Sequence, residues 1–400
     1  FFDIRAVALS RVVPAGGPSD GGTRILLSGS GLQSLPASCI FGGQTAVGAT
    51  LHRNGSAECI TPSMNMSGEV RLEVSMNGER TSKSVTDSHL AFHYYNASAV
   101  RIGSVSPLGG PSDGGTAVVL RGDGFVDRGG VYCHFGAAAD AIVPATVVSS
   151  EELACVSPSS NGAGGAVRLS LTLNGDHGQR VETNGSFVYQ WPRSMAVSAV
   201  LPVAGPSVGG SLLNVSGAGF AALGEVLCRF GDEERTTAGT VASPTLVQCY
   251  SPPISAPVMM GGGVPAAGQA EPVEVSVNGQ DYTASGVRFV AYDQRRVRVS
   301  ALAPHGGPLS DATDIVVIGS GFVDRNAHCR FGAGANATLV RAKVLNASAV
   351  RCTSTAVDAA TALAVEVTLN GDASSHSLTS DGVAFHYYNA SAVRIGSVSP

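Results

Sequence analysis

The tetrapeptide Cys-x-Phe-Gly occurs four times in 400 residues, beginning at Cys39, Cys133, Cys228 and Cys329, so its copies stand 94, 95 and 101 residues apart. A period of this size confines the chain to a string of like units, each as long as a small domain and able to bury a core of its own. Other marks keep step with it. A Gly-x-Gly step ending in Leu or Phe precedes each copy, at Gly29 to Leu32, Gly122 to Phe125, Gly217 to Phe220 and Gly319 to Phe322. Further upstream lie Gly16-Gly17-Pro18, Gly109-Gly110-Pro111, Ala204-Gly205-Pro206 and Gly306-Gly307-Pro308. A second cysteine follows at Cys59, Cys155, Cys249 and Cys352, and then Asn-Gly at Asn77, Asn174, Asn278 and Asn370. The step from second cysteine to Asn-Gly takes 18, 19, 29 and 18 residues. The surplus of the third copy falls between Pro253 and Pro272, a Pro/Gly/Ala-rich stretch that reads as a loop insertion between strands.

Each unit reads as β. Gly21 to Ser28 alternates, placing Ile25 and Leu27 on one face, and the same strand in the later copies pairs Val118 with Leu120, Leu213 with Val215 and Ile315 with Val317. Val70, Leu72, Val74 and Met76 alternate with polar residues before Asn77-Gly78, a dipeptide that predicts a tight hairpin because a type I′ turn needs positive φ at both central residues. The return strand is expected to end at Phe92 to Tyr95, with counterparts at Phe187 to Tyr189 and Phe385 to Tyr388. About seven short strands in about 95 residues predict a two-sheet sandwich. The expected domains are 3–97, 98–192, 193–294 and 295–390, with 391–400 starting a fifth repeat.

Bulk composition excludes several function classes. Charged residues are 14% and hydrophobic residues 44% of the chain, a balance that rules out disorder. A net charge of −5, with Lys83 and Lys343 the only lysines, gives no footprint for nucleic acid. No apolar run approaches the roughly 18 residues of a membrane helix, so no membrane contact is expected within this segment. Phe1 to Ser10 lack the pattern of a signal peptide and Val393 to Pro400 stop in mid-repeat, so both ends read as cuts through a longer protein.

The order Pro-x-x-Gly-Gly-Thr, apolar strand, Gly-x-Gly-Phe, x-Phe-Gly, Cys-x-x-Pro, strand, Asn-Gly resembles the IPT/TIG family, from about Asp3 to Asn389. The resemblance implies four tandem immunoglobulin-like domains in a semi-rigid rod, an all-β fold known from plexin and Met-type receptors, fibrocystin-like ciliary proteins and some transcription factors. Copy four departs from it: Asp311-Ala312-Thr313 replaces Gly-Gly-Thr and Thr355 stands where Pro62, Pro158 and Pro252 sit, so its turn is expected to differ.

Eight cysteines allow 105 pairings. Each unit holds two, at spacings of 20, 22, 21 and 23, which predicts Cys39–Cys59, Cys133–Cys155, Cys228–Cys249 and Cys329–Cys352. The alternative is eight buried free thiols; no unit supplies four nearby zinc ligands. Asn54, Asn65, Asn96, Asn184, Asn214, Asn336, Asn346 and Asn389 each begin Asn-x-Ser/Thr and are predicted N-glycosylation sites, eight of the fourteen asparagines. Disulfides and sequons together predict an extracellular chain at a cell or ciliary surface.

Candidate sites are few. Arg121-Gly122-Asp123 spells an integrin-type tripeptide, but its glycine belongs to the repeat. Asp20 and Asp113 could touch Ca²⁺, although an Asp bonding its own turn is commoner. Trp191 reads as packing between domains. No histidine pair has metalloprotease spacing, and Gly261-Gly262-Gly263 lacks the Lys-Ser/Thr of a phosphate loop. The expectation is therefore a non-enzymatic structural or adhesive glycoprotein without cofactors, its partners being N-glycans and other chains of a surface assembly or filament. The alternative is the spacer of a plexin- or fibrocystin-like receptor ectodomain. An arginine- and alanine-rich composition with sequons suggests a green alga and a ciliary coat or filament. Residues 91–107 and 384–400 are identical at all seventeen positions, which fits either recombination within a long array or reuse of a repeat segment at an unassigned end.

Overall fold

Alternation of apolar and polar residues sets the strands. The computed structural model describes residues 3–32, 36–81, 84–190, 194–231, 235–254, 270–310 and 312–392. In the first repeat the strands are β1 (Ala8–Val13), β2 (Gly16–Pro18), β3 (Arg24–Ser30), β4 (Ala37–Phe41), β5 (Thr45–Leu51), β6 (Ser56–Ile60), β7 (Gly68–Ser75) and β8 (Leu90–Tyr95). Ile25 and Leu27 of β3 are fully buried while Arg24 and Leu26 face solvent. Val118, Leu120, Leu213, Val215, Ile315 and Val317 are buried in the same way in the later copies.

The strands follow the order β1-β3-β6-β5-β4-β7-β8-β2. They form two layers, because β5 pairs with β4 along most of its length and with β6 at Thr50 and Leu51. The chain passes from β1 to β2, in the opposite layer, through a cis Val13–Pro14 peptide, and the same cis bond recurs at Ser106–Pro107, Leu201–Pro202 and Ala303–Pro304. Between the layers Phe41, Phe92 and Tyr94 meet edge to face, with ring centroids 5.0–6.3 Å apart, an arrangement that aromatic quadrupoles favour. Cys39 on β4 and Cys59 on β6 bridge the two layers. The corresponding bonds join Cys133–Cys155, Cys228–Cys249 and Cys329–Cys352, with Cα separations of 6.4, 6.6, 6.4 and 6.3 Å along the chain.

The structure differs from the sequence reading at Asn-Gly. Asn77-Gly78 does not close a two-residue hairpin; it opens a long loop between Ser75 at the end of β7 and Leu90 at the start of β8. Gly78 does take positive φ, at 77°, and the Asn77 Oδ1 accepts from the Glu79 backbone N–H, so the dipeptide makes a local turn. The strands re-pair only at an isolated Ser75–Val85 bridge. In the third repeat the loop is shorter and the bridge joins Ser276 to Tyr282.

The chain divides into two units, Phe1–Pro192 and Arg193–Pro400, each holding two repeats. In the fourth repeat the strands fall into separate sheets of four and five, because the strand equivalent to β5 is broken into Thr338–Arg341 and Lys343–Asn346 at buried Ala342. Asp311, Trp191, the Gly261–Gly263 run with the rest of 255–269, and residues 393–400 of the expected fifth repeat lie outside the described residues. Beyond Asp311 the turn is anchored as in the other copies: Thr313 N–H donates to Ser354 Oγ at 2.9 Å, matching Thr23 to Thr61, Thr116 to Ser157 and Ser211 to Ser251.

Candidate functional site

In both units the loop after Asn-Gly in one domain docks onto the Gly-Gly turn of the domain before it. In the first unit Gln179 carries the contact. Its amide Nε2 donates to the Gly21 carbonyl at 2.9 Å, and its Oε1 accepts from Thr23 Oγ1 at 2.7 Å and from Asn174 Nδ2 at 2.9 Å. Gly21 and Gly22 adopt φ of 76° and 82°, a conformation that turns the backbone outward and that side chains with a Cβ rarely accept. A Cβ on Gly21 would also lie 2.5 Å from the backbone of Pro62. A second strut is the Ala15 N–H donating to the Arg128 carbonyl at 2.7 Å. Beside it opens a cleft of about 820 Å³ lined by Arg24, Ile60, Tyr132, Asp176, His177 and Gln179, among others.

The second unit repeats the contact with different side chains. His376 Nε2 lies 3.1 Å from the Gly210 carbonyl, and since a carbonyl only accepts, that nitrogen carries the proton. Asn370 Nδ2 donates to Ser211 Oγ at 3.4 Å. Ser211 occupies the place of Thr23, whereas Gly210 occupies that of Gly22, one residue beyond the Gly21 counterpart, and Gly209 and Gly210 also take positive φ.

In the first, third and fourth repeats the loop after Asn-Gly is shaped from beneath by a buried carboxylate; of these loops, the one held by Glu366 is a docking loop. Glu73, on β7, accepts from Thr86 Oγ1, from Ser88 N–H at 3.1 Å and from His89 N–H at 3.0 Å. Glu274 does the same for Thr283, Ser285 and Gly286, and Glu366 for Thr379, Asp381 and Gly382. All three are less than a tenth exposed. Each stands four residues before its Asn-Gly, so aligning the repeats on that dipeptide was the signal that would have found them. The second repeat has Ser170 there instead. Across the sheet from Ser170 is His134, fully buried, with neither ring nitrogen hydrogen-bonded. His177 stacks edge-on against it with centroids 5.4 Å apart, and against Tyr132 at 5.0 Å. Burial, with Arg180 and His177 nearby, pulls the His134 pKa down to about 4.

The remaining candidates do not gather into a reactive centre. Arg121-Gly122-Asp123 lies within the strand Ala117–Asp123, hydrogen-bonded between two neighbours. Arg121 pairs with Glu152 at 2.9 Å, and a Cβ on Gly122 would meet the Arg101 carbonyl oxygen at 1.9 Å. The glycine thus serves the close approach of two strands. Asp20 and Asp113 are exposed in turns. Among the described residues one group of possible metal ligands gathers, Glu73, Asp87 and His89. Arg71 sits in its midst, its Nε 2.9 Å from Glu73 and its guanidinium paired with Asp87, so the cation the cluster calls for is already supplied by the chain.

Of the sequon asparagines, Asn54, Asn65, Asn96, Asn214, Asn336, Asn346 and Asn389 are exposed. Asn184 falls in the strand Val181–Gln190, its side chain outside the described residues. At Asn54, Asn346 and Asn389 the Oδ1 accepts from both N–H and Oγ of the sequon serine, at 2.6–3.2 Å.

The family model described as IPT/TIG domain matches residues 8–94, 101–189, 195–291 and 298–387. Plexin-A2 of Mus musculus is 24% identical over 262 residues, covering 62% of this chain and 13% of that protein. Plexin-2 of Caenorhabditis briggsae is 25% identical over 223 residues, covering 53% and 11%. The chain therefore spans about an eighth of the length of these relatives. Among solved structures, the full extracellular region of plexin A4 aligns over 96% of this chain and 38% of its own, at 16% identity and a TM-score of 0.44.

Proposed function

Because the chain belongs to the IPT/TIG domain family, we propose that it is a non-catalytic extracellular spacing segment, in which immunoglobulin-like domains joined in clasped pairs hold other parts of a longer protein apart. The joint carries this reading: the same loop meets the same turn twice with different side chains and at neighbouring positions of the turn, Gln179 on Gly21 and His376 on Gly210. A contact that is kept while its residues change serves the pairing itself. Within-domain disulfides and exposed sequons fit an oxidising, glycosylating compartment.

The match to plexin-A2 supports the finer reading of a receptor-ectodomain spacer. A second reading, a repeat segment of a long surface or ciliary filament, draws on the seventeen-residue identity between 91–107 and 384–400. The test is a non-reducing peptide map of the secreted chain, with and without N-glycan removal. Four within-domain bridges and converted sequon asparagines are the expected result; free thiols and bare asparagines would overturn the extracellular assignment. A membrane-crossing helix and cytoplasmic domain in the complete coding sequence separate the receptor from the filament.

A further inference from the structure

The outward face of the third domain carries an apolar patch with a sequon at its centre. Leu201, Leu212 and Tyr250 are 56%, 44% and 57% exposed. Register places them around Asn214. Leu201 lies directly across from Asn214 on one neighbouring strand and Gln248 across on the other. Leu212 is two residues along on the same face and pairs with Tyr250, which is thereby diagonal to Asn214. Diagonal neighbours are about 7–8 Å apart, within reach of a bulky substituent.

The other domains arrange these positions differently. In the first, the centre is Leu26, and its surroundings include the Arg24–Glu58 ion pair. In the fourth, the centre is Val316, flanked by Arg351 and by an Asp314–Thr353 hydrogen bond at 3.0 Å. In the second, Val119 is ringed by Ser106, Ala154, Ala117 and Val156, of which Val156, 52% exposed, is the one large apolar side chain. Only the third domain places large apolar side chains around the centre with no charged residue among the five positions. An uncovered cluster of this kind favours association with other apolar surfaces.

We infer that an N-linked glycan on Asn214 is the cover of this patch, its first sugars lying over Leu201, Leu212 and Tyr250. The proposal rests on the extracellular reading above. The geometry suits the modification: Asn214 is exposed and its Oδ1 accepts from Gln248 Nε2 at 2.9 Å, which engages the amide oxygen and not the nitrogen that is modified. In the transfer, Nδ2 bonds to C1 of an oligosaccharide donated by a lipid-linked oligosaccharyl pyrophosphate. The amide nitrogen gives up one proton and the lipid pyrophosphate departs with the electron pair of the broken C1–O bond. The attached sugar presents C–H faces to the aromatic ring and leucines and hydroxyls to water.

The test compares the full chain, secreted from a glycosylating eukaryotic cell, with Ser216→Ala and Ser216→Thr. The first removes the sequon and leaves the Asn214–Gln248 bond; the second keeps the sequon. Glycopeptide mass spectrometry reads occupancy, and hydroxyl-radical footprinting reads Tyr250 and Leu212. The expected result is an occupied Asn214 in the wild type and in Ser216→Thr, with Tyr250 and Leu212 oxidised several-fold faster in Ser216→Ala, which also binds more of a hydrophobic dye. Equal footprints in an occupied wild type and in Ser216→Ala overturn the cover. A bare Asn214 beside occupied Asn54 and Asn346 overturns it too, while sparing the extracellular reading; bare asparagines throughout take down both.

Discussion

Gln179 donates its side-chain amide to the carbonyl of Gly21, a residue 158 positions earlier in the chain and in the preceding domain. Its other polar atom is occupied by Thr23 and Asn174, so one side chain ties the hairpin loop of one domain to the turn of another and braces the loop's own base.

Gln179→Ala should loosen this joint without unfolding either domain. Each neutral hydrogen bond contributes about 0.5–1.5 kcal/mol net, and the loss should appear as faster amide exchange at Gly21–Thr23 and in the loop after Asn174. Unchanged exchange at both places would mean that the Ala15–Arg128 strut holds the joint alone.

Glu274→Ala leaves a buried hydroxyl and two backbone N–H groups without their acceptor. Each such orphan costs about 1–3 kcal/mol. The third domain should therefore lose several kcal/mol, seen as an early thermal transition, while Glu274→Gln, which keeps an acceptor oxygen, should cost less. A variant as stable as the parent would show that water replaces the carboxylate.

His134 makes the second domain acid-sensitive. Its pKa is held at about 4 in the folded chain, below the ordinary 6.5, so the unfolded state binds the extra proton first. Stability is therefore fully present above pH 6.5 and falls as pH drops from there toward 4. The groups facing it are His177 and Arg180, both of which oppose a charge on His134. His134→Leu should flatten the pH dependence of the melting of this domain between pH 7 and 4.5; an unaltered slope would place its origin elsewhere.

Gly122→Ala should destabilise the second domain, since its Cβ would meet the Arg101 carbonyl. Asp123→Glu, which breaks the tripeptide and leaves the strand pairing, should change neither folding nor cell attachment. Attachment lost in Asp123→Glu with folding intact would restore the adhesive role.

The sandwich was legible because burial imposes a period of two, and Ile25, Leu27, Leu213 and Val215 keep it. The two-residue hairpin was not, because the signal in Asn77-Gly78 is local, whereas the length of the loop is set by Glu73 gathering Thr86, Ser88 and His89 from farther along the chain. Gln179 and His376 were missed for a related reason. They share no chemistry that a motif would register; what they share is a place in a loop and a carbonyl across the joint. The tripeptide at Arg121 is the converse case, where the letters alone suggest a ligand but the repeat already assigns the glycine to the framework, and the strand pairing shows why it is needed there.

The cystine bonds also set how far the chain can be drawn out. Each closes a segment of 20, 22, 21 or 23 residues between the two layers of its own domain. When the ends are pulled, tension crosses the sulfurs and bypasses that segment even after the sheets have parted. At ~3.4 Å per extended residue, about 70 Å of slack per domain stays locked until the bond is reduced. A reducing environment would therefore lengthen the stretched chain by roughly 280 Å over the four domains with no peptide bond cut.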